Sequence, residues 1–307
     1  MKETVLVIGG YALDKKRNEL ENREKEVIES VTSPGGSGWL LCLACKGIGV
    51  RSALATSFGT DPDGYILREW ANDEDIRLIN VPSESYTGTT CFETVIHDGG
   101  VIEIFSTTKA LSLSERTATT LFEELDPSVT IVGYVDERTV LGLAKCSRKR
   151  KRREQFLVAG CSDAFTGFSP KALVEVLDLY DLVVMNEFEW RIVRQKVAED
   201  ERALLKKLYN KAEVVVTGSD NIRCYKNGIC AVYEFDHFSC RDSIGAGDAI
   251  TASLSLGRGL SDAESVSKAL GVAKWMCSLV FKGRVGFGEQ SKDGAWPVRK
   301  VEQADGL

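Results

Sequence analysis

A chain of 307 residues, 43% of them hydrophobic, carries enough apolar material for one large core, or one core with a small appendage. Its formal net charge of −6 argues against a dedicated nucleic-acid binder, whose surface is basic overall. No apolar run approaches the roughly 20 residues that a membrane-spanning helix needs, and the first nine residues lack the apolar region and cleavage site of a secretion signal, so a cytoplasmic protein without a membrane partner is expected.

In chain order, residues 5–9 read as a buried strand, 38–48 as a helix, 52–58 as a strand and 61–72 as a helix. A strand-rich patch follows at 76–81, 89–97 and 101–105, with Asp98-Gly99-Gly100 as a hairpin turn. Alternation then resumes, with a helix at 114–124, a strand at 128–132, a helix at 137–145 and a strand at 156–159. Next come a helix at 170–177, a strand at 182–185, a helix at 199–210 and a strand at 213–217. Residues 223–226 and 231–235 form a hairpin around Asn227-Gly228, and helices at 246–257 and 262–280 close the pattern. Short aliphatic strands separated by helices predict an α/β fold with a mostly parallel central sheet covered on both faces. Ligands of such sheets collect at the carboxyl ends of the strands. The early strand-rich patch breaks the alternation and is expected to form a small separate sheet, a lid on a single domain spanning 1–307.

Nine cysteines, at 42, 45, 91, 146, 161, 224, 230, 240 and 277, lie mostly in apolar segments and are read as reduced and buried. Cys42 and Cys45 have C-x-x-C spacing but no second pair, and only His97 and His237 are present to assist, so zinc is not expected. The run Arg148-Lys149-Arg150-Lys151-Arg152-Arg153 fits a solvated helix C-terminus, where cations meet the negative end of the dipole. A nuclear-localisation or anion-binding patch is the alternative reading.

The stretch CRDSIGAGDAITASLSLGRG, residues 240–259, places Gly245-Ala246-Gly247 at the start of a helix, immediately before Asp248. The first amides of a helix have no intrahelical partner and carry the positive end of the dipole. Small residues let an anion approach them. A carboxylate held beside an anion site is repulsive unless it acts, and its natural act is to take a proton from a hydroxyl that attacks a phosphate. Gly-Ala-Gly as a close-packing device, with Asp248 as a first-turn acid, is the structural alternative for this motif taken alone.

Five motifs in order resemble those of the ribokinase-like (PfkB) carbohydrate kinases. DSIGAGDA (242–249) resembles their C-terminal signature, and Pro34-Gly35-Gly36-Ser37-Gly38 their N-terminal glycine signature. FGTDPDGYILREWANDEDI (58–76), VVMNEFE (183–189) and VVVTGSDN (214–221) resemble a glycine–aspartate segment, an N-x-x-E motif and a nucleotide-binding loop. The resemblance covers roughly residues 4 to 290.

That resemblance implies a ribokinase-like fold and ATP-dependent phosphorylation of a sugar or nucleoside hydroxyl. Asp248 would be the general base, and the amides of Gly245, Ala246 and Gly247 an anion hole for the transferring phosphoryl group. Asn186 and Glu189 would organise Mg²⁺ through water, and Thr217, Gly218 and Ser219, with Asn186, would line the ATP phosphates. Asp14, Gly35 and Gly36 would hold the acceptor, and residues 269–273 would flank adenine. Asp242 matches a position that helps K⁺ to bind. Residues 11–33 and 76–107 would form the lid, which also serves several relatives as a dimer surface. Three positions depart from the family pattern. Leu40 replaces an acceptor-binding Asn, which points to a more apolar acceptor; Asn221 replaces a loop Gly; and Ser243 replaces a Thr. A non-catalytic relative that binds a ligand or partner is the second reading. Thr89, Thr107, Thr108 and Lys109 are acceptor-pocket candidates by location.

Overall fold

The computed structural model describes residues 5–19, 27–82, 88–97, 102–106, 110–149, 155–160, 163–197, 212–226, 229–236, 245–259, 262–281 and 298–302. The chain begins with β1 (Val5–Ile8), β2 (Ala12–Glu19) and β3 (Val27–Gly35), then α1 (Ser37–Gly47), β4 (Ser52–Thr56), α2 (Pro62–Asp73) and β5 (Arg77–Asn80). After β6 (Thr90–His97) and β7 (Ile102–Ser106) come α3 (Glu115–Leu125), β8 (Val129–Val132), α4 (Glu137–Lys149) and β9 (Phe156–Gly160). Then follow α5 (Asp163–Gly167), α6 (Pro170–Leu179), β10 (Leu182–Asn186), α7 (Glu187–Val197) and β11 (Glu213–Thr217). The last elements are β12 (Asn221–Lys226), β13 (Ile229–Phe235), α8 (Ala246–Leu256), α9 (Ala263–Phe281) and β14 (Val298–Glu302).

The main sheet has the order β14-β13-β12-β11-β10-β9-β8-β1-β4-β5. It is parallel from β5 to β11, and β12, β13 and β14 extend it antiparallel. Alternate strand residues feed opposite cores, as the two-residue side-chain period requires. Val5 and Val7 join α1, α8 and α9 on one face, whereas Leu6 and Ile8 join α3, α4, α6 and α7 on the other. Val184 and Val183 divide in the same way. Helix starts are marked by side-chain caps: Asp61 accepts from the Gly64 amide, Ser114 from Thr117 and Ser169 from Ala172, with Pro62 and Pro170 in the first turns.

The small sheet is present, in the order β3-β2-β6-β7, but its membership differs from expectation. Residues 77–80 pair parallel to β4 in the main sheet. The reason lies in burial: Leu78 and Ile79 pack against opposite cores, which a strand at the edge of the covered sheet satisfies. Helix α7 begins at the strand-to-helix junction that Asn186 and Glu189 mark, and buries a narrow apolar stripe of Trp190 and Val193 amid a run of charges. Helix α5 and strand β14 are additions. The helix expected at 199–210, and the turns at 98–100 and 227–228, lie outside the described residues. The strands flanking both turns pair antiparallel, Ile96 with Ile102 and Lys226 with Ile229. Among the described residues, no helix is long and apolar enough to cross a membrane.

Candidate active site

Strand β1 lies between β4 and β8, and the chain leaves its neighbourhood in opposite directions along the sheet. A crevice therefore opens at the carboxyl end of β1, the place where doubly wound sheets bind ligands. The first turn of α1 is fastened there. The Gly38 amide donates to the Gly10 carbonyl at 2.9 Å, and the Tyr134 amide, just past β8, donates to Ser37 Oγ at 2.8 Å. Gly36 caps the helix at φ +88°, and a Cβ on it would stand 2.7 Å from the Gly10 oxygen, so no side chain fits. The carboxylate of Asp14, on β2, lies directly against Gly35. Asp14, Gly35 and Gly36 thus meet where the small sheet joins the crevice.

The N-terminus of α8 forms a second part of the site. Gly245 caps it at φ +84°, and among the described residues no side chain caps its first amides. A Cβ at Gly245 would stand 3.1 Å from Met276 Cγ and 3.5 Å from Leu40 Cδ1. The turn is therefore seated between α1 and α9, with Leu40 against it. Thr251 Oγ1 donates to the Gly247 carbonyl at 2.8 Å, and its methyl group would stand 3.1 Å from a Cβ at Gly160. That contact holds the start of α8 over the carboxyl end of β9. Burial pushes the Asp248 carboxyl up to about 7, and the Glu189 carboxylate adds to the rise.

Asn186 and Glu189 form a reciprocal cap at the start of α7. The Glu189 amide donates to Asn186 Oδ1 and the Asn186 amide to Glu189 Oε2, both at 2.8 Å. Glu189 is buried rather than solvated. On the neighbouring strand, Thr217 stands opposite Asn186 and donates its hydroxyl to the Met185 carbonyl at 3.3 Å. The loop beyond it closes on itself, with the Gly218 amide donating to the Asn221 carbonyl at 2.8 Å and Ser219 exposed. Asn221, which stands where the family pattern has a Gly, has negative φ, so the loop closes there without a left-handed residue. Over Gly218 lies the carboxylate of Glu187, 3.2 Å from where a Cβ would stand, and Arg223 Nη2 donates to it at 2.7 Å.

The structure therefore gathers Asp14, Gly35 and Gly36 at one end of the crevice, and Gly245, Ala246, Gly247 and Asp248 beside Asn186 and Glu189 at the other. Thr217, Gly218 and Ser219 follow on β11. Of residues 269–273, Ala269, Leu270, Val272 and Ala273 are buried in the core. Asp242, Ser243, Thr107, Thr108 and Lys109 lie outside the described residues. Arg148 donates to the Leu179 carbonyl and to Asp181, and Lys149 pairs with Glu115, which ties the start of the basic run to the scaffold. Cys42 and Cys45 are buried and unpaired, and burial pushes the Cys42 thiol up to about 12.

Two features escaped the sequence reading. One is the Glu187–Arg223 pair, which residues 36 apart give no sign of. The other is the anchor around Asp61, which accepts from the amides of Gly64 and Thr89, each at 2.8 Å, and from the Thr89 hydroxyl. Thr89 Oγ1 in turn accepts from the Gly59 amide at 3.1 Å. Burial raises the Asp61 carboxyl, but the Thr89 hydroxyl and the two amides outweigh it and hold the group below the usual carboxylate range. The Asp-Pro-Asp-Gly start of α2 signals the cap; the Thr89 half, just before β6, is tertiary. This anchor joins the small sheet to α2.

Fold and site together define a ribokinase-like α/β protein. The pattern of the pfkB family carbohydrate kinases matches residues 2–282, and the chain belongs to that family. The structure is similar to an adenosine kinase from Schistosoma mansoni, at TM-score 0.73 and 15% identity, covering 94% of this chain and 98% of that one. It is similar to a nucleoside kinase from Methanocaldococcus jannaschii at TM-score 0.66 and 18% identity, covering 95% of each. A carbohydrate kinase from Agrobacterium tumefaciens is also similar, at TM-score 0.66 and 16% identity, covering 98% and 100%. No curated protein matches the sequence.

Proposed function

We propose that this protein transfers the γ-phosphoryl group of ATP to a hydroxyl of a small sugar or nucleoside. The observation that carries the reading is Asp248, raised to about 7 in the first turn of a helix whose cap is a glycine, Gly245. A group that titrates near neutrality is matched to proton transfer at ordinary pH. Asp248 takes the proton of the acceptor hydroxyl as its oxygen attacks phosphorus. The amides at Gly245, Ala246 and Gly247 hold the negative charge that gathers on the transferring group. Asp14 accepts hydrogen bonds from acceptor hydroxyls, while Gly35 and Gly36 let the backbone come close. Thr217, Gly218 and Ser219 line the nucleotide phosphates.

The donor set fits Mg²⁺. It consists of hard oxygens only, and Glu189 Oε2 and Asn186 Oδ1 already accept backbone amides, so an ion there keeps most of its waters. Bound Mg²⁺ would neutralise phosphate charge. A monovalent cation such as K⁺ near Asp242 belongs to the same reading. The small sheet, rooted at Gly10 and Gly36 and anchored through Thr89, acts as a lid that excludes water as a competing acceptor. It is also the surface offered to a second copy of the chain. Leu40, buried against Gly245, presents only carbon near the transfer site, which favours an acceptor that is apolar there.

The test is ADP release from MgATP across a panel of sugars, sugar phosphates and nucleosides, with and without K⁺. One acceptor that stimulates release, and loss of that release on chelating Mg²⁺, supports the reading. Silence across the panel, with no ATP binding by calorimetry, overturns it and favours a non-catalytic binding protein.

A further inference from the structure

A carboxylate over a nucleotide loop is an odd neighbour for phosphates. Glu187 is the first residue past β10 and Gly218 the first past β11, and the register Asn186 to Thr217 sets them side by side. The Glu187 carboxylate presses against Gly218, so its charge stands at the loop itself. Its side chain is 52% exposed, which leaves that charge facing the approach to the loop. Arg223 reaches it from β12, the next strand, where Arg223 pairs with Val216. The guanidinium is less exposed, at 28%, and donates through Nη2 to Glu187 Oε1 at 2.7 Å. Its Nε is buried with no partner among the described residues. One donor is thus committed to Glu187, and the fork geometry of arginine leaves others near the loop.

We infer that Arg223 is a positioning residue for the nucleotide. It neutralises and restrains Glu187, so that the loop after β11 accepts the polyphosphate of ATP. The inference rests on the kinase reading above. It goes beyond it by giving Glu187, an unspecified position of the N-x-x-E motif, and Arg223, outside the motifs, a role in nucleotide affinity. The chemistry is electrostatic and no bond changes. With Arg223 in place, Glu187 presents little net charge to the phosphates. Without it, an uncompensated carboxylate faces a tetra-anion, or the dianion that remains with Mg²⁺ bound.

The test uses the full chain, with MgATP as the probe. Arg223→Met should raise the Kd and the KM for MgATP about tenfold, the effect of one unit charge over several ångströms in a partly solvated site, while kcat stays within about twofold. Adding Glu187→Gln to that variant should restore most of the affinity, since the repelling charge is gone. Glu187→Gln alone should bind MgATP more tightly than the native protein. The gap between Arg223→Met and native protein should narrow in high salt. Thermal melting of each variant separates lost fold from lost affinity. Native affinity in folded Arg223→Met, or no rescue in the double variant, overturns the inference and leaves the kinase reading standing. Native protein that binds no MgATP overturns both.

Discussion

Replacing Asp248 by Asn should stabilise the protein at alkaline pH while removing its activity. Burial first, and the Glu189 carboxylate second, lift the Asp248 carboxyl from 3.8 to about 7. An unfolded chain ionises this group from about pH 3.8 upward, whereas the native protein does so only near 7. Between those values the unfolded state gives up a proton that the native state keeps. Stability therefore falls as pH rises through this window, and the whole loss is present above pH 7. The gap from 3.8 to about 7, at 1.36 kcal/mol per pH unit, is about 4 kcal/mol. Asp248 is only partly buried by accessible surface, so solvent screens its charge and about 4 kcal/mol is a ceiling. Asn carries no such cost. In urea unfolding, Asp248→Asn should exceed the native protein by about 1–4 kcal/mol at pH 8, and by less than half of that gain at pH 5. Its turnover in the ADP-release assay should fall by about 10²–10⁴, the usual contribution of a general base. An equal gain at both pH values would show that the native carboxyl titrates at its ordinary pH. Full turnover in the variant would sink the assignment of Asp248 as base.

Other perturbations probe the supports of the site. Glu189→Gln removes the like charge beside Asp248, so the acidic limb of the kcat/KM profile should move below its native position near pH 7; an unmoved limb would mean that the two carboxylates do not interact. Gly245→Ala places a side chain at φ +84° and 3.1 Å from Met276 Cγ, and should cost about 1–2 kcal/mol in urea unfolding together with most of the turnover. Native stability in that variant would show that the turn relaxes freely. Thr89→Val leaves the Gly59 amide and Asp61 short of a partner, at about 1–3 kcal/mol, and should raise the KM of the acceptor more than that of ATP if the Asp61 anchor positions the small sheet. Equal changes in both constants would separate the anchor from the lid.

The sequence by itself determined the parts of this protein that depend on local pattern. Aliphatic runs such as Val5–Ile8 and Val129–Val132 read as covered parallel strands because both of their faces are buried, and a chain buried on both sides has no room for polar alternation. The Gly-Ala-Gly-Asp start of α8 was legible because helix N-termini have the same unpaired amides wherever they occur. What the pattern did not hold was the identity of neighbours. Residues 77–80 look alike in the main or the small sheet, and the choice followed from which cores receive Leu78 and Ile79. Nor does the pattern of residues 269–273 name the partners, α1 and α8, against which packing buries them. The rise of Asp248 to about 7 exists only because folding desolvates its carboxyl in part and brings Glu189, 59 positions earlier, beside it. Glu187 and Arg223 meet for a similar reason, as adjacent strand ends in one sheet. Motifs fix which groups are available, and desolvation and proximity, which only the tertiary structure supplies, decide what those groups do.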